Sequence, residues 1–336
     1  MLDVTVVLLD EGLSSTAVVP VEIFHAAGAL WNELHDRPTQ PAFRVRTVTL
    51  GGKPVRSSYG LVVTPDGAVE DVDHTDILIV STSGLDMDLR LVDNASMLPW
   101  LRHHYEQGAY VAGVCMATAY LAEAGLLDGR TATTHWAKGD DFAKRYPKVN
   151  WRPDLFVTED QRMLCSGGVY ASMDVSLYLV EKLCGHEVAV QCAKALLLPM
   201  PRIHQSGYAM LPISQPHSDE RIRVAETFLQ ANYRDDVSTQ TLADRCGLGA
   251  RTFVRHFKAA TGRLPAAYLQ ALRIEAAKSM LERDTKAIQS ISTEVGYDDV
   301  AFFRSLFKRS TGMTPAEYRA HFAPLRVRGQ VALEAP

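Results

Sequence analysis

Cysteine is scarce in this chain, and its pattern is not one of pairs. Five occur, Cys115, Cys165, Cys184, Cys192 and Cys246, an odd count with no Cys-x-x-Cys among them. That speaks against a disulfide framework and against a zinc ribbon. Long apolar runs are also missing: none approaches the ~18–20 residues that cross a bilayer, so no membrane partner is expected. Met1-Leu2-Asp3 lacks the basic opening of a secretion signal, and a cytoplasmic protein is expected. His103-His104 has no partner at metal-ligand spacing, so neither a metal nor another cofactor is expected. An excess of basic charge is lacking too. The net charge is −4, which taken whole argues against a nucleic-acid partner.

The 336 residues are 47% apolar and 22% charged, enough apolar surface for roughly two domains at ~100–200 residues each. Charge divides between them. Residues 1–216 hold 17 Lys/Arg against 25 Asp/Glu, a balance of −8. Residues 217–328 hold 18 against 13, a balance of +5, and Glu334 in the tail completes the total. A basic region inside an acidic chain is where nucleic-acid binding is to be sought.

Strand-like and helix-like patterns alternate over the first two hundred residues. Val4–Leu9, Phe43–Thr49, Leu61–Thr64, Asp76–Val80, Tyr110–Val114 and Met163–Cys165 read as strands. Val18–Leu34, Met97–Gln107, Met116–Ala124, Tyr170–Leu183 and Glu187–Leu197 read as helices. Short, wholly apolar strands alternating with helices predict an α/β domain with a parallel sheet flanked by helices, flavodoxin-like. Between Leu198 and Asp219 the pattern breaks at Pro199, Pro201, Pro212 and Pro216. The expected organisation is 1–198 as the first domain, 199–218 as a Pro-rich linker and 219–325 as an all-α second domain. Its helices are expected at Asp219–Tyr233, Thr239–Cys246, Ala250–Thr261, Pro265–Arg283, Ile288–Val295, Asp299–Thr311 and Pro315–His321.

The basic region repeats itself. Phe253-x3-Phe257-Lys258-x3-Gly262-x2-Pro265-Ala266-x-Tyr268 returns 50 residues later as Phe303-x3-Phe307-Lys308-x3-Gly312-x2-Pro315-Ala316-x-Tyr318. Leu242-x4-Gly247 returns as Ile291-x4-Gly296, 49 residues on, so the second turn holds one extra residue. Two copies of short helix, glycine turn and longer helix make a tandem helix-turn-helix. Phe253, Phe257 and Ala260 share a core face, as do Phe303, Leu306 and Phe307. Arg251, Arg255 and Lys258 share another face, and Arg304 and Lys308 lie outward on the second copy. Early positions of such a helix meet base edges in the major groove, and Arg reads guanine bidentately. The joining helix spans roughly 28 Å at ~1.5 Å per residue, close to the ~34 Å between successive major-groove faces.

With these motifs, residues 219–322 resemble the DNA-binding domain of AraC/XylS-family transcriptional regulators. The stretch from Gly296-Tyr297-x-Asp299 to Pro315-x2-Tyr318-Arg319 is similar to that family's signature. The resemblance implies double-stranded operator DNA as a partner, met through Arg251, Thr252, Arg255, His256, Lys258, Ala301, Arg304, Ser305 and Lys308. The family often has a base-reading Arg where this chain has Ser305. Base reading therefore rests more on Arg251 and Arg255.

Tyr110–Ala117 is an apolar strand running through Cys115 into a helix of small residues. This is the pattern of a nucleophile elbow, where a helix end is expected to lower a thiol pKa. His135 of Thr133-Thr134-His135-Trp136 could supply a base. Three roles stand for Cys115: lining an effector pocket, a small residue at a tight turn, or a nucleophile or redox sensor. Residues 1–198 resemble the class I glutamine amidotransferase-like fold in its intracellular-protease-like branch, in the variant fused to AraC-type domains. Gly113-Val114-Cys115, Leu121-Ala122-x-Ala124-Gly125-Leu126-Leu127-Asp128-Gly129-Arg130 and Ser166-Gly167-Gly168-Val169-x2-Ser172-Met173-Asp174 carry the likeness. Enzymatic relatives place an acidic residue after the first strand, and that position falls near Thr16 here, so no enzyme is expected.

The expectation is a regulator, an activator of amino-acid or amine catabolism as its relatives often are. A small-molecule effector would be held by Cys115, Met116, His135, Trp136, Ser83 and Gly84, with Trp136 suited to a cationic amine. A homodimer is expected, with RNA polymerase as a further partner of an activator. The alternative is a Cys115-dependent hydrolase, lyase or redox sensor fused to a DNA-binding domain.

Overall fold

The computed structural model describes residues 1–209 and 217–324. Positions 210–216 of the expected linker, with Pro212 and Pro216, and Leu325 at the end of the expected second domain lie outside the described residues. The chain divides into two compact units, Met1–Ser206 and Gly207–Pro336.

In the first unit the strands are β1 (Leu2–Val7), β2 (Phe43–Thr49), β3 (Val55–Arg56), β4 (Val62–Val63), β5 (Gly67–Ala68), β6 (Ile77–Val80), β7 (Tyr110–Val114), β8 (Thr131–Ala132), β9 (Asn150–Trp151), β10 (Val157–Asp160) and β11 (Met163–Ser166). The helices are α1 (Ser15–Ala26), α2 (Leu30–Glu33), α3 (Met87–Asp93), α4 (Met97–Glu106), α5 (Thr118–Glu123), α6 (Gly139–Arg145), α7 (Ala171–Cys184) and α8 (His186–Ala195). Seven strands form one sheet in the order β10-β11-β7-β6-β1-β2-β5. Neighbours run parallel except β10, which is antiparallel to β11. Val4, Val6, Ile77, Leu78, Ile79 and Val111 are fully buried, as continuous β-branched and aliphatic strands covered on both faces must be. Helix α1 packs with α7 and α8, while α5 packs with α3 and α4. The chain runs from β1 to β2 on one side and to β6, β7 and β11 on the other. Strand order therefore reverses between β1 and β6, and ligands bind α/β sheets at the carboxyl ends around such a reversal.

Several local expectations are corrected. Val18–Leu34 is two helices, because Gly28 between them takes φ +77° and a Cβ there would meet Gln40 O at 2.1 Å. Leu61–Thr64 contributes only β4, which pairs with β3 outside the main sheet. The helix expected at Met116–Ala124 begins as a 3-10 turn at Cys115–Ala117 before α5. Residues expected to begin the linker pack on this unit. Arg202 donates to Asp174 through its backbone N and its Nη2, both at 2.7 Å. Gln205 is buried, with Nε2 donating to Thr134 O and Leu155 O at 2.9 Å each.

The described part of the second unit has no strand. Its helices are α9 (Glu220–Ala231), α10 (Thr239–Arg245), α11 (Ala250–Thr261), α12 (Pro265–Arg283), α13 (Ile288–Glu294), α14 (Val300–Thr311) and α15 (Pro315–Phe322). Two separate cores form. One gathers Ile222, Leu229, Leu242, Phe253, Phe257 and Tyr268; the other gathers Ile274, Leu281, Ile291, Phe303, Phe307 and Tyr318. The sequence repeat is a geometric one. Phe257 meets Tyr268 edge-on at 5.3 Å and Phe307 meets Tyr318 at 5.4 Å. Gly262 and Gly312 end their helices at φ +77° and +79°, the left-handed cap that favours glycine. The extra residue of the second copy lies in the turn before α14, where Asp299 caps the helix by accepting from Ala301 N (2.8 Å) and Phe302 N (3.0 Å).

Candidate nucleic-acid interface and ligand cleft

Burial of the Phe253/Phe257 and Phe303/Phe307 faces turns the opposite faces of α11 and α14 outward. Arg251, Arg255, Lys258, Ala301, Arg304, Ser305 and Lys308 are all exposed. Among the described residues the five cations of this set make no ion pair, so their charge is open to phosphate or base edges. Thr252 and His256 are half-buried. His256 Nδ1 lies 3.7 Å from Asp219 Oδ2, the carboxylate that caps α9. Phe302, which is 49% exposed beside Ala301, joins the outward face of α14 although the repeat did not single it out. Exposed apolar groups at the start of such a helix suit thymine methyl groups. The signal was available: Phe302 falls off the core spacing and replaces Thr252 of the first copy.

In the first unit Cys115 has φ +58°, the strained conformation of an elbow, held by close strand–helix packing. A Cβ on Gly113 would lie 3.0 Å from Thr118 N and Cα, so only glycine lets the turn close. Thr118 and Thr134 hydroxyls both donate to Cys115 O, at 3.0 and 3.2 Å. The expected lowering of the thiol pKa is overturned. Cys115 is 4% exposed, and burial pushes the thiol up to about 12 against a smaller opposing hydrogen bond at Met116. Desolvation of the charged form outweighs the short 3-10 turn. His135 Nδ1 accepts from Ala137 N at 3.1 Å, and burial lowers the ring's pKa. Burial thus favours its neutral form, and Nδ1 is occupied as a cap. Thr16, at the position of the missing acid, is buried and donates to Leu13 O at 2.7 Å.

At the strand-order reversal, the loops after β1 and β6 close on each other. A Cβ on Gly12 would lie 1.9 Å from Thr82 O, and Thr82 N donates to Thr16 Oγ1 at 3.2 Å. Ser83 is also used internally: its hydroxyl meets Tyr120 Oη at 2.6 Å. Open space lies one strand further along. A cleft of about 540 Å³ is lined by residues 85–88, Met116, Lys138, Asp141, Phe142, Lys144 and Arg145. Of the six expected effector residues, Met116 alone lines it. Gly84 directly precedes Leu85 of its wall, and Trp136 stands two residues before Lys138. The cleft carries both charge signs, with Lys138 paired to Asp141 at 3.0 Å and Arg145 paired to Asp88. Nothing in its sequence segments marked it, because α3 and α6 are short charged helices without a motif. Among the described residues no group of three or more His, Cys, Asp or Glu side chains could hold a metal ion. None of their helices is long and apolar enough to cross a membrane.

Comparison with known proteins agrees with both halves. Residues 4–182 match the DJ-1/PfpI family, and residues 242–321 match a helix-turn-helix domain family. The HTH-type transcriptional regulator CdhR of Pseudomonas aeruginosa is 28% identical over 280 residues, 83% of this chain and 82% of its own. The regulator ArgR of the same organism is 30% identical over 222 residues, 65% of this chain and 67% of its own. Part of the chain is also similar to an enzyme. Isonitrile hydratase of Pseudomonas putida is 32% identical over 151 residues, 44% of this chain and 63% of its own. A crystal structure of an AraC family transcriptional regulator from Pseudomonas putida superimposes with a TM-score of 0.50 at 21% identity, over 58% of this chain and all of that one, a likeness of fold. The chain belongs to the DJ-1/PfpI family through its first unit and, with an AraC-type helix-turn-helix domain joined to it, is a DNA-binding transcriptional regulator.

Proposed function

We propose that this regulator is a cytoplasmic homodimer that activates transcription with RNA polymerase when a small amino acid or amine enters the cleft beside Met116. The observation that carries this reading is the pairing of an elbow whose thiol is sealed with an open, mixed-charge cleft next to it. Burial disfavours the Cys115 thiolate, the form that a nucleophile or redox sensor uses. The cleft's acids suit an ammonium group and its bases suit a carboxylate. Each chain then reads DNA through Arg251, Thr252 and Arg255 of α11, and through Ala301, Phe302, Arg304 and Ser305 of α14. Lys258 and Lys308 meet phosphate.

Gln205 gives the effector a route to the linker. It donates to Thr134 O, and the Thr134 hydroxyl donates to Cys115 O. A ligand that shifts the elbow changes how firmly residues 200–206 are held, which is differential affinity for two states. The test is thermal shift and operator binding of the full chain against a panel of amino acids, amines and betaines, with wild type and Cys115→Ala side by side. A ligand that stabilises wild type and changes operator affinity supports the reading. Panel compounds that stabilise the chain while leaving operator affinity unchanged contradict it.

The likeness to isonitrile hydratase and the strained Cys115 favour a second reading, a Cys115-dependent enzyme. Turnover on isonitrile, amide, ester or aldehyde substrates that Cys115→Ala abolishes would establish that reading in place of the first.

A further inference from the structure

The two helix-turn-helix units share no core residue, and α12 runs through both. Its early residues Pro265 and Tyr268 are buried in the first half of the domain, and Ile274, Ala277 and Leu281 in the second. Because the two cores pack on separate stretches of α12, a contact that bridges the halves directly helps to fix the angle between them. One side chain stands at the crossover. Arg273 donates from Nε to Tyr233 O at 2.7 Å, from Nη2 to Asp235 O at 2.9 Å and from Nη1 to Gly296 O at 3.0 Å. Its guanidinium also lies 5.0 Å from the centre of the Tyr297 ring.

The three carbonyls belong to different halves. Tyr233 and Asp235 follow α9, while Gly296 is the turn leading into α14. Gly296 has φ +89°, and a Cβ there would lie 2.5 Å from Arg234 O. Glycine is thus needed both for the backbone conformation and for the close approach of the halves. Tyr297 carries the contact onward, with its ring 5.8 Å from Phe302 and 5.9 Å from Phe303. The contact is not part of the repeat. At the 50-residue offset the counterpart of Arg273 is Ala323, and a Cβ on Gly247, the first copy's turn, would meet nothing within 4 Å. An interaction made once between duplicated units serves their relation to each other. Arginine suits it, since its rigid planar fork spreads donors over three nitrogens in a fixed geometry, whereas lysine's donors sit on one nitrogen at the end of a flexible stem.

We propose that Arg273 is a positioning residue that sets the angle and spacing of α11 and α14, and so the spacing of DNA segments the protein accepts. This rests on the reading that both helices enter DNA. When two contacts must be made together, misalignment forfeits the gain from joining them and leaves each contact intact.

The test uses the full chain and a duplex that wild type selects from a random-sequence pool. Binding is measured on that duplex, on one with a single segment scrambled, and on ones with the spacing changed by a base pair or two. Arg273→Ala should weaken binding to the selected duplex roughly tenfold or more, leave the single-segment duplex within about twofold, and flatten the spacing preference. Gly296→Ala should act in the same direction. Arg273→Lys keeps the charge with fewer bonds and should fall between, which guards against a misfolded alanine variant. Equal weakening on one-segment and two-segment duplexes would overturn the proposal. A spacing preference that survives in Arg273→Ala overturns the clamp alone, whereas a wild type with no spacing preference overturns the two-segment reading and the clamp together.

Discussion

At the scale of the residue, charge and burial decide what each group can do. Arg251 and Arg255 stand four apart on an exposed face. Each changed to Ala should cost ~1–3 kcal/mol on a selected duplex and relax the preference at its own base pair. Lys258→Ala and Lys308→Ala should weaken all sequences evenly and reduce the salt slope by about 1 each. Competition titrations over a salt series separate the two patterns, and a uniform loss for Arg251→Ala would remove its base-reading role. Cys115 should resist alkylation in the folded chain at pH 7 and react on unfolding, as mass spectrometry of iodoacetamide-treated protein would show. Rapid labelling of native Cys115 would contradict its sealed state. His104 is fully buried against Trp100, and burial lowers its pKa. Its folded value lies below its unfolded one, so its contribution is whole above about pH 6.5 and drains away as pH falls towards the folded value. Melting temperature should therefore drop between pH 7 and pH 5, and His104→Leu should flatten that dependence whatever its constant offset. An unchanged slope would assign the acid sensitivity elsewhere.

At the scale of the element, the duplicated unit was the most legible part of the sequence. Phe at i and i+4, a glycine after the helix and Pro at the next helix start are local rules, and local rules suffice for helices. In α11, α12, α14 and α15 the structure adds the edge-on Tyr268 and Tyr318 contacts. Gly262→Ala and Gly312→Ala should each cost about 1–2 kcal/mol, because a Cβ is strained at these left-handed caps. Urea unfolding checks this, and a neutral effect would show that the caps relax. Long-range elements were less legible. The edge strand β10 is polar, Val157 to Asp160, and exists because β11 pairs with it. The break at Gly28 depends on Gln40 twelve residues away. The elbow at Cys115 was legible from its glycine and small residues. Its burial was not, since covering it requires Thr134 and the β7–α5 packing. The cleft was invisible because its walls come from segments far apart in sequence.

At the scale of the whole molecule, the net charge of −4 conceals two unlike halves. A +5 balance over residues 217–328 is modest, so bulk attraction alone would hold DNA weakly and placed side chains must supply specificity. Described residues on either side of positions 210–216 are held within their own units. Gln205 packs on the first unit, while Tyr208 meets His321 at 2.8 Å and Lys278 donates to Ala209 O at 2.6 Å within the second. On the proposed reading, one chain meets two adjacent major-groove segments with its two duplicated helices. Hydroxyl-radical and methylation-interference footprinting of the full chain on a selected duplex tests it most directly. Two protected segments about one helical turn apart per chain are expected, with Arg251→Ala erasing one and Arg304→Ala the other. A single protected segment, or one footprint that both variants weaken alike, would contradict it.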